Sequence, residues 1–136
     1  MSRSKSLIGL DVGAARIGVA LGDTAVRIAI PYGAIEVNGT ELEEIANLIV
    51  KQEADVIVVG YPRNQSGEAT AQTAYVEQFA EGLSDMASEV VFQDESLTSV
   101  MAEQRLQARG GSYSKGDIDA EAAVIILQDY IEEHSA

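Results

Sequence analysis

Apolar positions divide the chain into short β runs followed by amphipathic stretches. Leu7–Val12 and Arg16–Leu21 read as two apolar strands around the turn Gly13-Ala14-Ala15. A third run, Ala25–Ile30, resumes beyond Pro31 as Tyr32–Glu36, and Gly22-Asp23-Thr24 supplies the turn of an antiparallel meander. Pro31 has no N–H to give to a ladder, so this strand lies near an edge or bends there. The period then becomes helical. Thr40 with Glu43 spells a capping box, and Glu41–Glu53 places Leu42, Ile45, Ala46, Leu48 and Ile49 on one face. Asp55–Gly60 is an unbroken apolar run, the pattern of a strand buried on both faces in a parallel sheet. A second helix runs from Glu68 to about Asp85, with Tyr75, Val76, Phe79, Ala80 and Leu83 inward, and Glu89–Gln93 is the next strand. Ser96–Ala108 is a third helix, capped by Thr98 or Ser99 and stopped by Gly110-Gly111. A loop over Ser112–Gly116 precedes the last helix, which ends near Glu133. The order βββ-α-β-α-β-α-α predicts an α/β fold in one domain over residues 1–136: a mixed five-stranded sheet, an antiparallel meander plus two parallel strands, with helices on both faces.

Three places break this pattern with a carboxylate. Asp11 sits inside the first apolar strand, where a desolvated acid must be paired, hydrogen-bonded or bound to metal. Glycines at 9, 13, 18 and 22 leave room around it, as when something approaches the backbone closely. Asp94 and Glu95 are adjacent acids at the carboxyl end of a strand, where α/β sheets carry their ligands. Alternation sends their side chains to opposite faces, so one of the two is the direct ligand in any site there. Asp119 steps by helical spacing to Ala123, Ile126, Leu127 and Tyr130, which puts it on the inward face of its helix. The plain structural roles are a turn acid for Asp11 and an N-cap for Asp119. Asp117 is the better capping candidate of the last helix.

Composition narrows the chemistry. The chain has 136 residues, a net charge of −13 and no cysteine. Disulfides, a thiolate nucleophile and cysteine-based zinc sites are excluded, and the composition fits a reducing cytoplasm. No signal peptide or membrane-length apolar run is evident. The single histidine, His134, lies in the terminal tail. Without a Cys or His cluster, carboxylates favour a hard divalent cation such as Mg²⁺ or Mn²⁺. Two such ions about 4 Å apart activate water and stabilise the leaving oxygen of a phosphodiester. The acidic balance argues against a general nucleic-acid binder but permits a nuclease whose few cations sit beside its loops.

Four stretches together resemble the YqgF (RuvX-type) family of RNase H-like nucleases, related in fold to RuvC-type junction resolvases. They are GLDVGAARIGVA at 9–20, VVGYPRNQSG at 58–67, DESLTS at 94–99 and KGDIDAEAAVIILQDYI at 115–131. The resemblance implies an RNase H-like fold with Asp11, Glu95 and Asp119 as catalytic, metal-holding acids and Asp94 as a possible additional acid. It implies two Mg²⁺ or Mn²⁺ ions, water as nucleophile, and Arg16 and Lys115 on the phosphate backbone. The chain departs from the family pattern at Ser96, where arginine is usual. It departs again at Pro62-Arg63-Asn64, where Pro-Leu-Asn is usual, and Arg63 there restores a basic substrate contact. Implied substrates are the leader of the small-subunit ribosomal RNA precursor within a pre-ribosomal particle, or a four-way DNA junction. A resolvase needs a dimer. No dimer seam is visible in the sequence, so monomer and homodimer both stay open. Two further readings compete. One is an RNA-binding module without catalysis. The other is an actin-type ATP-binding lobe, whose first phosphate loop also sets an aspartate among glycines but which needs two lobes.

Overall fold

The computed structural model describes residues 4–62, 71–95 and 98–134. A five-stranded sheet has the order β3-β2-β1-β4-β5. Its strands are β1 (Ser6–Val12), β2 (Arg16–Asp23), β3 (Ile30–Glu36), β4 (Val56–Pro62) and β5 (Glu89–Glu95). The β1–β2 and β2–β3 pairs are antiparallel, whereas β1–β4 and β4–β5 are parallel. The helices are α1 (Glu41–Gln52), α2 (Ala71–Leu83), α3 (Thr98–Arg109) and α4 (Lys115–Glu133). This is the expected mixed sheet. None of the described helices is long and apolar enough to cross a membrane.

The alternation of each strand sorts its side chains between two cores. Ile8, Leu10 and Val12 of β1, with Ile57 and Val59 of β4, pack against Ile45, Leu48 and Ile49 of α1 and Val76, Phe79 and Leu83 of α2. The other face carries Leu7, Ala20, Val56 and Val58 against Ala123, Ile126, Leu127 and Ile131 of α4. Helix α3 packs on α4, through Ala102 against Ala122 and Ile125.

Helix α4 lies directly on the sheet, and glycines make this possible. An added Cβ at Gly9 would meet Leu127 Cβ at 2.7 Å, at Gly60 Ile126 Cδ1 at 2.5 Å, and at Gly18 the Asp119 carbonyl oxygen at 1.8 Å. The room that Gly9, Gly18 and Gly22 create around Asp11 is therefore filled by a helix of the same chain.

Several local expectations are corrected. Ala25–Ala29 is not a strand: Asp23 Oδ1 accepts from the amides of Ala25 and Val26 and folds the segment into a turn, with Arg27 at φ 64°. Gln128 of α4 then holds it, since its Oε1 accepts from Ala29 N at 2.8 Å and its Nε2 donates to Arg27 O at 3.2 Å. The Thr40–Glu43 box does not form. Instead, Asn38 Oδ1 accepts from Thr40, and Glu41 Oε1 accepts from the amides of Asn38 and Gly39. Thr98 and Ser99 are both within helix α3, so neither is its cap, and the expected beginning at Ser96 falls outside the described residues. The second helix starts at Ala71, and its expected beginning at Glu68 falls outside the described residues. Lys115 belongs to a helix and not to the preceding loop: Ser114 caps α4 through a reciprocal box with Asp117.

Strand β3 closes one side of the sheet. It pairs Val19 with Gly33 but Ala20 with Pro31, which leaves Tyr32 as the extra residue of a bulge. Ile30 and Tyr32 of β3, and Val26 and Ile28 of the turn before it, are exposed apolar side chains.

Candidate active site

The register of β1 fixes where Asp11 points. Leu7 and Gly9 face α4, so Asp11, two positions further, faces it too. At this end of the strand α4 offers Asp119, whose backbone rests on Gly18 of β2. Burial, and then the charge of Asp119, push the Asp11 carboxyl up from 3.8 to about 6. Asp119 has a cation of its own: Arg16 Nε on β2 donates to its Oδ2 at 2.6 Å. Asp119 lies in the second turn of α4, because Ser114 has taken the capping position. A cleft of about 280 Å³ opens beside this pair, lined by Arg16, Asp119, Lys115, Ser99 and Glu103 among others. Two of the expected acids and two of the expected cations are thus brought together.

Glu95 goes elsewhere. It shares the α4 face of the sheet with Gln93, and Asp94 lies on the opposite face, as alternation requires. Its neighbours on α4 are from the far end of that helix. Gln93 Nε2 bonds Glu133 Oε2. The Glu95 carboxyl is pushed up to about 8, first by burial, then by a hydrogen bond with Asp129 and the charges of Asp129, Glu133 and Asp94. Its Oε1 is buried without a hydrogen-bond partner. That is the expected state of a carboxylate surrounded by acceptors, and a shared proton or a cation relieves it. Among the described residues, no three His, Cys, Asp or Glu side chains converge as a metal cage. Arg63 and Ser96 lie outside the described residues.

The sequence reading missed the partners of Glu95. Asp129 and Glu133 are one turn apart at the carboxyl end of α4, where a helix disfavours negative charge, and that misplacement was the available signal. It also missed Glu121, a 2% exposed acid in an alanine-rich apolar stretch. Arg109 Nη2 donates to it at 2.5 Å, and Arg105 lies 3.7 Å away. This ion pair ties α3 to α4 behind the cleft.

The residues at Asp11 fit a hard dication. The donors are all oxygen, Asp11 is a largely buried acid whose carboxyl is pushed up by burial and by the charge of Asp119, and Asp119 faces it as a second acid. Mg²⁺ is commonly held by one or two carboxylates, with water and substrate phosphate completing its shell.

A family model described as RuvX, Holliday junction resolvase, matches residues 5–133. A protein of Chloroflexus aggregans, named as a proposed pre-16S rRNA nuclease, is 40% identical over 133 residues, covering 94% of each chain. A protein of Shewanella oneidensis with the same name is 38% identical over 136 residues, covering 96% of each. Among solved structures, Thermus thermophilus RuvC bound to a Holliday junction substrate superposes with a TM-score of 0.53 at 13% identity, covering 95% of this chain and 94% of that one. Fowlpox virus resolvase in complex with Holliday junction DNA gives 0.55 at 12% identity, with 94% and 97% covered. These two likenesses show the RNase H-like fold.

Proposed function

The chain belongs to the RuvX family, and on that premise we propose that it is a metal-dependent endonuclease that trims the 5′ end of the small-subunit ribosomal RNA precursor. The observation that carries the reading is Asp11: a partly exposed acid in a core strand, β1, facing Asp119 of α4, beside a cleft that holds Arg16 and Lys115. The names of the relatives supply the substrate, and the setting is an assembling particle in the cytoplasm. A chain of charge −13 grips a naked duplex poorly, whereas a particle holds the RNA in place for it.

Asp11 and Asp119 would hold Mg²⁺ or Mn²⁺, and Glu95 is the third acid assigned to the metal site. A bound pair of ions supplies an activated water and charge stabilisation for the leaving oxygen. Asp11 would be the ligand from the core strand, and Asp119 the ligand open to the cleft. Lys115, on the first turn of α4, and Arg16 would hold the phosphate backbone of the substrate, with Arg63 as the third basic contact. Asp94 faces the other side of the sheet and serves the site only through its charge.

The likeness to junction resolvases favours a second reading, the cutting of four-way DNA junctions by a homodimer. A cleavage assay separates the two, using a precursor leader and a synthetic junction in Mg²⁺ and then Mn²⁺, with Asp11→Asn as control. Metal-dependent cutting of the leader, absent in the variant, is the expected result. Paired symmetric nicks in the junction would move the role to recombination. Binding of the leader without cutting in either metal would leave a non-catalytic RNA-binding module.

A further inference from the structure

Arg16 and Asp119 form a closed pair at the mouth of the site. The guanidinium Nε donates to Oδ2 at 2.6 Å, with the side chains 29% and 19% exposed. The same guanidinium lines the cleft that holds Lys115 and the Ser99 residue of α3. If Asp119 is to hold a divalent cation, one of its oxygens is already engaged by a positive charge. A guanidinium and a dication on one small carboxylate repel strongly at such separations, even in a high-dielectric setting.

We propose that Arg16 is the resident counter-cation of Asp119, that a divalent ion must displace it, and that the freed guanidinium then grips a substrate phosphate in the cleft. This rests on the reading of Asp11 and Asp119 as cation ligands. The exchange leaves no charge bare. Asp119 trades one cation for another, and Arg16 trades a carboxylate for a phosphate, the two anions its planar fork matches best. Lys115 already stands in the cleft as a second cation, so release of Arg16 raises the local positive charge where the backbone would lie. Metal occupancy and nucleic-acid grip are therefore linked, and the linkage is reciprocal. The metal-free protein withholds one of its few basic side chains, and a chain of charge −13 then has little hold on RNA.

The experiment begins with Mn²⁺ alone, titrated calorimetrically into wild type, Arg16→Gln and Arg16→Lys without nucleic acid. Arg16→Gln is expected to bind Mn²⁺ about three- to tenfold more tightly than wild type, the range of a part-exposed ion pair. Arg16→Lys keeps the competing charge and is expected to stay within about twofold of wild type. Unchanged or weaker Mn²⁺ binding by a folded Arg16→Gln would overturn the proposal. Absence of Mn²⁺ binding by wild type would overturn the nuclease reading beneath it. Should Arg16→Gln fail to fold, the Arg16 Nε–H resonance of the ¹⁵N-labelled wild type carries the test. It is expected to shift on addition of Mg²⁺, and a resonance that stays in place overturns the proposal. A second arm follows binding of a short labelled single-stranded RNA against salt, with and without Ca²⁺. Adding Ca²⁺ is expected to steepen the wild-type slope by about 0.7, one further phosphate contact on a single strand, and to leave the Arg16→Gln slope as it was. Equal steepening in both proteins would refute the release of Arg16 onto phosphate.

Discussion

Gly18 of β2 and Asp119 of α4 meet backbone to backbone: a Cβ on the glycine would lie 1.8 Å from the Asp119 carbonyl oxygen and 2.3 Å from its carbonyl carbon. Both atoms are main chain, so no rotamer change relieves the clash. The position of the candidate acid is thereby set by the absence of a side chain on a neighbouring strand.

Gly18→Ala is expected to destabilise the fold by about 2–4 kcal/mol, because α4 must lift from the sheet. Gly116→Ala is the matched control. Its added Cβ would find ordinary contacts at 3.5 Å from Ala34 Cβ and 3.6 Å from Ser114 Oγ. Inside the first turn of α4 it is expected to stabilise by about 0.5–1 kcal/mol. Urea unfolding of the two variants checks both signs. Equal stability of Gly18→Ala and wild type would mean that α4 is not seated as described.

The raised Asp11 carboxyl makes the metal-free protein pH-sensitive. Folding pushes this group up from 3.8 to about 6, so the folded chain holds the proton more tightly than the unfolded one. The stability contributed in this way is fully present below about pH 4 and is lost as pH rises through about 6. Asp11→Asn escapes the loss. At pH 7 without metal it is expected to be more stable than wild type by about 3 kcal/mol, with the difference vanishing near pH 4. Adding Mn²⁺ at pH 7 is expected to raise the melting temperature of wild type and leave that of the variant unchanged. A variant less stable than wild type at pH 7 would show that Asp11 has a favourable partner.

The Gln128 amide joins the turn before β3 to α4 by two hydrogen bonds. Gln128→Ala is expected to cost about 1–2 kcal/mol and to speed hydrogen exchange at the Ala29 amide before that of any amide in the sheet. Exchange at Ala29 that stays slow in the variant would show that the turn holds itself.

Glu121 is a second acid whose role can be tested. Its removal leaves Arg109 and Arg105, whose side chains are 59% and 46% exposed and can hydrate. Glu121→Leu is therefore expected to be close to neutral in stability, whereas Glu121→Gln, which keeps a polar group buried and weakens its bonds, is expected to cost about 1–3 kcal/mol. Thermal melts of both variants decide whether the ion pair or the filled volume holds α3 in place.

The sheet was legible where burial is uniform. Val56–Gly60 has no polar position, the pattern of a strand covered on both faces. Asp119 was legible because its helical neighbours Ala123, Ile126 and Leu127 are apolar and indeed buried. The turn at Ala25–Ala29 was not, because Val26, Ile28 and Ile30 alternate like a strand, and the bonds that fold the segment come from Asp23 and from Gln128, about a hundred residues on. Glycine spacing around Asp11 announced a close approach but not its source. The surroundings of Glu95 were hidden for a different reason: they depend on the crossing direction of α4 over β5, which no local period encodes. The ion-pair partner of Asp119 was hidden in the same way.

Strand β3 offers what a growing fibril seeks, a free sheet edge beside four exposed apolar side chains. Pro31 withholds a donor from that edge, and the bulge at Tyr32 spoils the even spacing a docking strand would need. The −13 charge adds repulsion between copies. The chain therefore carries its own protection against templated self-assembly, and concentrated solutions are expected to stay dispersed until that charge is screened or titrated away.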